Sequence, residues 1–227
     1  MARLAMMNEA DHQRVSNAVH DAEGNTAGEI VTIVADASDH YPDIALWWSV
    51  SVGVLALAAL AAFPDFYFRI VGWLSNGWVA EWSLAEAFEL ALAVFIVKFL
   101  ATRLIFQWMP LRIFLTPSII KAERVRRRAI RYFKVGAERR TSGRTGVLIY
   151  LSMAEHKAEI VADEAIHAKV APEIWGEAMA KLVAEVRQGR IADGMVAAIG
   201  DVGAILGTHF PREADDKNEL PDRLIEL

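Results

Sequence analysis

Four acidic residues stand where the sequence changes from strand to loop. Asp36 and Asp39 follow the β-branched run Ile30, Val31, Ile33 and Val34, and Asp163 and Glu164 follow the shorter run Lys157-AEIVA. If those two strands ran parallel, their ends would meet at one edge. The carboxylates would then suit a hard cation such as Ca²⁺ or Mg²⁺, which takes oxygen ligands. The plainer reading is that they are solvated turn acids. Glu29 and Glu159 lie within the strands and are weaker candidates. Glu164-x-x-His167 sets a carboxylate and an imidazole at i, i+3 on a helix, but di-metal carboxylate sites need that spacing twice, and it occurs once. A surface pair is the simpler account. The six histidines form no short ligand cluster, so zinc is not expected. There is no cysteine, which excludes disulfides and thiolate chemistry. GxSxG, P-loop and GxGxxG patterns are missing, and Gly194, Gly200 and Gly203 fall in a helical pattern rather than a strand-to-helix turn. Catalytic residues are not identified on these grounds.

The second chemical feature is basic. Residues 110–144 hold eleven Lys/Arg against two Glu, in a 227-residue chain whose net charge is −5. Lys121 to Phe133 reads as a helix, with Ile120, Val125, Ala129, Ile130 and Phe133 on one side. Arg124, Arg126, Arg127, Arg128 and Arg131 occupy the other side and are the expected membrane-contact residues, resting on anionic headgroups. Nucleic acid is not an expected partner: no recognition motif is present, and residues 145–227 hold fifteen Asp/Glu against eight Lys/Arg.

The elements that position these residues surround an apolar insertion. Ile44 to Phe63 has no formal charge and no proline, and as a helix it would be about 30 Å long, the thickness of a hydrocarbon core. Trp47 and Trp48 lie near its start, where interfacial aromatics sit. A second apolar stretch follows from Leu84 to Phe106, carrying Glu86, Glu89, Lys98 and Arg103. Glu86, Glu89 and Arg103 are near enough to the ends to snorkel. Lys98 lies deeper, and snorkelling competes there with a relay or transport role. Between them, residues 66–83 read as an interfacial segment or an anchoring loop, with Trp73, Trp78 and Trp82.

Outside the insertion the pattern is mixed. A helix is expected over residues 8–22 and a strand over 29–36. Two strands joined as a hairpin follow at 145–153 and 157–163, then helices at 163–169, 172–187 and 191–206. A single N-terminal strand cannot bury two faces, so it must join the later strands. The expected fold is therefore α/β: a small central sheet sandwiched by helices and interrupted by a two-helix transmembrane hairpin. The expected parts are 1–43 and 141–210 as one domain, 44–108 as the hairpin, 109–140 as a basic juxtamembrane segment, and 211–227 as a charged, partly disordered tail. The N-terminus lacks a signal-peptide core, and the cluster after the second span places both flanks in the cytoplasm of a bacterial inner-membrane protein, multi-pass.

Taken together, the soluble segments resemble the TPM domain family, which occurs in bacterial membrane-associated proteins and plant thylakoid lumen proteins. The matching pieces are Thr26-AGEIVTIV, Arg144-TGVLIYLS, His156-KAEIVAD and Gly189-RIADGMVAAIGDVGAIL. The likeness is greatest to the membrane-inserted bacterial branch. It implies an α/β sandwich, an acidic pocket for divalent cations and, in some plant members, acid phosphatase activity, for which Arg144 would neutralise phosphate charge. The sequence departs from the family pattern where relatives carry Asp-Asn, here Arg144-Thr145. It departs again at the glycine-rich turn, here Ala162-Asp163-Glu164-Ala165. The expected function is a membrane-anchored binding or scaffold module facing a lipid or membrane-protein partner. The alternative is a membrane-anchored, metal-dependent phosphatase.

Overall fold

The computed structural model describes residues 7–74, 83–136, 145–212 and 222–227. In chain order the elements are α1 (Glu9–Glu23), β1 (Glu29–Ala35), α2 (Pro42–Ala62), α3 (Pro64–Leu74), α4 (Leu84–Ile105), α5 (Met109–Leu115), α6 (Ser118–Gly136), β2 (Gly146–Ser152), β3 (Lys157–Ala162), α7 (Glu164–His167), α8 (Pro172–Arg187), α9 (Ile191–His209) and β4 (Leu224–Glu226). They divide into two compact units, one of Met1–Asp39 with Ser118–Leu227 and one of His40–Pro117.

The first unit is a four-stranded sheet, ordered β3-β2-β1-β4, with helices on both faces. β1 pairs in parallel with β2, from Glu29↔Gly146 to Ala35↔Ser152. The expected union of the N-terminal strand with the later strands is thus made directly. β2 turns back into β3, antiparallel, through residues 153–156. His156 ends that turn at φ 50, a left-handed conformation.

Alternation along β2 shows why the sheet is covered twice. Val147, Ile149 and Leu151 pack with Val15 and Val19 of α1, Leu182 of α8 and Ile199 and Leu206 of α9. Leu148 and Tyr150 point the other way and pack with Val125, Ala129 and Phe133 of α6. A strand buried on both faces reads as a continuous apolar run, as GVLIYLS does. On the first face, α1 lies close against α9, because a Cβ on Gly203 would fall 2.7 Å from the Ala22 Cβ. Asn8 caps α1 by accepting the Asp11 N–H at 2.8 Å.

Two expected boundaries shift. Helix α6, expected as a juxtamembrane segment outside the domain, is one layer of it. Its apolar stripe at i, i+4 and i+8 meets the sheet and is not available to lipid. The C-terminal segment, expected as a partly disordered tail, supplies strand β4, whose Leu224 and Ile225 pair beside Thr32 and Ile33 of β1. A three-residue strand with two apolar residues is too short to stand out among charged neighbours. Residues 213–221 of that tail lie outside the described residues.

In the second unit α2 packs on α4, with Gly53 against the Phe95 ring and Trp48 stacked on Phe106 at 6.2 Å. Ser83 and Glu86 form a capping box at the start of α4, which gives Glu86 a structural role that its charge alone did not suggest. Much of the apolar surface of this unit faces outward: Trp47 is 70% exposed, Leu55 66% and Leu104 63%. Among the described residues two helices are long and apolar enough to cross a membrane, α2 and α9. α9 is the central helix of the first unit's core, with Met195, Ile199, Val202 and Leu206 fully buried. α4 is as long as a span but carries four charged residues. The expected interfacial segment begins as helix α3; its Trp78 and Trp82 fall outside the described residues.

Candidate functional site

The four expected metal ligands do not share an edge. β1 runs with β2 and β3 runs against it, so β1 and β3 are antiparallel. Asp36 and Asp39 follow the C-terminal end of β1, while Asp163 and Glu164 follow β3 at the opposite end of the sheet. Seven strand residues separate the ends by roughly 20 Å. Among the described residues no group of three or more His, Asp and Glu is placed to hold a metal. Asp163 is spent locally: its Oδ2 accepts the Gly146 N–H at 2.9 Å, and its own N–H donates to the Gly146 carbonyl at 3.0 Å. Glu164 opens the four-residue helix α7. Arg144 lies outside the described residues.

A buried polar network does form at the Asp36 end, from residues that carried no sequence signal. Glu155, in the β2–β3 turn, is 6% exposed. Its two carboxylate oxygens accept the Ser38 N–H at 3.1 and 3.2 Å, and Ser152 Oγ donates to Oε2. Ser38 Oγ donates to Ser152 Oγ at 2.8 Å and lies 3.1 Å from the Tyr150 hydroxyl. Burial pushes the Tyr150 phenol up from its ordinary value, opposed by the Ser38 hydrogen bond. The loop after β1 is therefore locked to the β2–β3 turn. This pairing spans more than a hundred residues, so no local pattern could announce it.

The arginines of α6 stand next to this lock. Arg124, Arg127, Arg128 and Arg131 are spaced i, i+3, i+4 and i+7 and make one stripe of the helix. With Ser38 and Asp39 they line a cavity of about 260 Å³. Asp39 pairs with Arg124, and Arg127 pairs with Glu123 of its own helix at 3.1 Å. Arg128 lies over the Tyr132 ring, 5.0 Å from its centre, and that ring is 5.9 Å from Tyr150. The Arg128 Nε is buried with no hydrogen-bond partner among the described residues. Arg126 falls off the stripe and faces Glu159 of β3 at 3.8 Å. Burial pushes the Glu159 carboxyl up, and Arg126 opposes it. Of the expected membrane-contact residues, four thus belong to one cavity and the fifth to another face.

The fold defines a class: a mixed α/β domain whose small sheet carries helices on both faces, with a helical unit inserted after the first strand. Residues 109–205 match the family model of the TPM domain. That range takes in α6, as the packing requires, while β1 completes the sheet from outside it. The structure is similar to the NMR structure of the BA42 protein from the psychrophilic bacterium Bizionia argentinensis, with a TM-score of 0.57, 17% identity, and coverage of 100% of this chain and 99% of that one. At that identity the likeness speaks for the fold. No curated protein matches the chain.

Proposed function

We propose that this chain is an integral membrane protein whose TPM-like unit works as a binding module at the inner membrane surface. One observation carries the reading. The second unit has an outward apolar surface, and it is inserted between two segments that rejoin in one sheet. Water does not tolerate such a surface on an isolated helix pair, whereas lipid does. Because β1 and β2 pair directly, the two flanks must lie on the same side, so the chain crosses the membrane an even number of times. α2 is the outward span. α4, whose 22 residues reach about 33 Å, is the other long helix of that unit and makes the return. The positive charge of α6 follows the return span, which favours the cytoplasmic side for the TPM-like unit.

No observation favours the phosphatase alternative, which draws on the family resemblance alone. The carboxylates it would need stand at opposite ends of the sheet.

The test is fractionation of cells expressing the full chain. The protein should stay with membranes through an alkaline carbonate wash and leave them with detergent. A reporter joined after Leu227 should be active in the cytoplasm only. Release by carbonate, or reporter activity outside the cytoplasm, would overturn the reading.

A further inference from the structure

We infer that the cavity lined by Ser38, Asp39, Arg124, Arg127, Arg128 and Arg131 is a binding site for one phosphomonoester dianion, held but not hydrolysed. The inference deepens the binding-module reading and rests on it.

Charge is the first ground. Four guanidinium groups face one carboxylate across the cavity. On one helix stripe, like charges at i, i+3 and i+4 repel. Asp39 answers Arg124, and Glu123 answers Arg127. Arg128 and Arg131 have no ion-pair partner among the described residues.

The second ground is the donor set. Arg128 lines the cavity with its Nε–H closed off from solvent, so its two Nη groups are the donors a ligand there would meet. The guanidinium fork matches two phosphate oxygens at once, and two arginines on one stripe can share a third.

The third ground is preorganisation. Arg128 is held over Tyr132, Tyr132 lies against Tyr150, and Tyr150 meets Ser38, which Glu155 locks from behind. The side chain thus loses little further freedom on binding. A cavity of about 260 Å³ takes a phosphate group with bridging water. Among the described lining residues Ser38 carries the only hydroxyl. Ser38 Oγ is engaged with Ser152 and Tyr150.

A phosphomonoester dianion could be the headgroup of a phosphatidate-type lipid or a soluble metabolite. The full chain should be purified in phosphatidylcholine nanodiscs and titrated calorimetrically with inorganic phosphate and with glycerol phosphate at constant ionic strength. Saturable binding of one equivalent is expected. Arg128→Gln should weaken it by about tenfold or more. Arg128→Lys keeps the charge and loses the fork, so it should weaken binding by a smaller factor and serves if the Gln variant folds poorly. Arg187→Gln, on α8 outside the cavity, should bind as the parent does. Nanodiscs containing phosphatidic acid or phosphatidylglycerol at equal charge separate the two sources. If phosphatidic acid alone abolishes the phosphate titration, the lipid headgroup is the ligand. If neither lipid does, the ligand is soluble. Absence of saturable phosphate and glycerol phosphate binding, together with equal effects of both lipids, overturns the site. Membrane integration would still stand or fall by the carbonate wash.

Discussion

The N–H of Ser38 donates to both carboxylate oxygens of Glu155, a residue more than a hundred positions away in the chain. The pair ties the loop after β1 to the turn between β2 and β3, and it sets one wall of the arginine cavity. Both residues are buried, so the bond is shielded from water.

Glu155→Ala removes the acceptor for Ser38 and for Ser152 at once. Two buried donors are then orphaned, at about 1–3 kcal/mol each. The expected loss is on the order of 3 kcal/mol, read as a lower denaturant midpoint of the full chain in detergent. Glu155→Gln keeps one acceptor oxygen and should lose about half as much. A loss below about 0.5 kcal/mol for the Ala variant would contradict the buried network.

Asp163→Ala tests a different role from the one its position at a strand end suggests. The Asp163 carboxylate accepts the Gly146 N–H and is 8% exposed. The substitution should destabilise the fold by about 1–2 kcal/mol. It should leave the unfolding temperature equally insensitive to Ca²⁺ and Mg²⁺ in parent and variant. A cation-induced rise in the parent that the variant lacks would restore the metal reading.

Two glycines of α9 should respond in opposite directions. At Gly203 a Cβ meets Ala22 at 2.7 Å, so Gly203→Ala forces α1 away from α9 and should cost about 1–3 kcal/mol. At Gly200 nothing lies within 4 Å of the added Cβ, so Gly200→Ala should stabilise by about 0.5–1 kcal/mol through helix propensity. Thermal unfolding of the two variants side by side checks both signs.

Glu23 gives a pH signature. Its carboxyl is buried, accepts the Ile30 N–H at 2.7 Å and lies near Glu29 and Asp222. Burial pushes its pKa up from 4.5 to about 9. Asp222 in turn meets His20 at 3.0 Å. Between those two pKa values the folded state holds a proton that the unfolded state has lost. Stability from this group is therefore present in full below pH 4.5, falls as pH rises and levels off above about pH 9. The slope is at most about 1.4 kcal/mol per pH unit. Glu23→Gln should flatten that slope in pH-dependent denaturation. An unchanged slope would place the proton elsewhere.

Much of the fold was legible in local patterns. The β-branched run at Ile30–Val34, the apolar run of β2 and the Pro172 start of α8 each announced their elements, because their burial is periodic or continuous along the chain. The need for a partner strand followed from counting faces, and the β1–β2 pairing supplies it. β4 was not legible, since two apolar residues among charges carry no period. The site was legible only in part. The spacing of Arg124, Arg127, Arg128 and Arg131 puts them on one stripe of any helix. What they face depends on which side of α6 the sheet covers.

The sequence by itself determined the apolar insertion, the strand and helix segments and the basic stripe, because each is a matter of residue type and spacing along one stretch. Only the tertiary structure decided the direction of β1 relative to the β2–β3 hairpin. The parallel β1–β2 pair and the antiparallel β2–β3 turn send Asp36 and Asp163 to opposite ends of the sheet, which undoes the expected carboxylate cluster. The same directions bring Ser38 from the end of β1 beside Glu155 from the end of β2, with α6 laid over both. The direction of β1 is a relation between distant segments, set by burying both sheet faces at once, and no single stretch of sequence contains it.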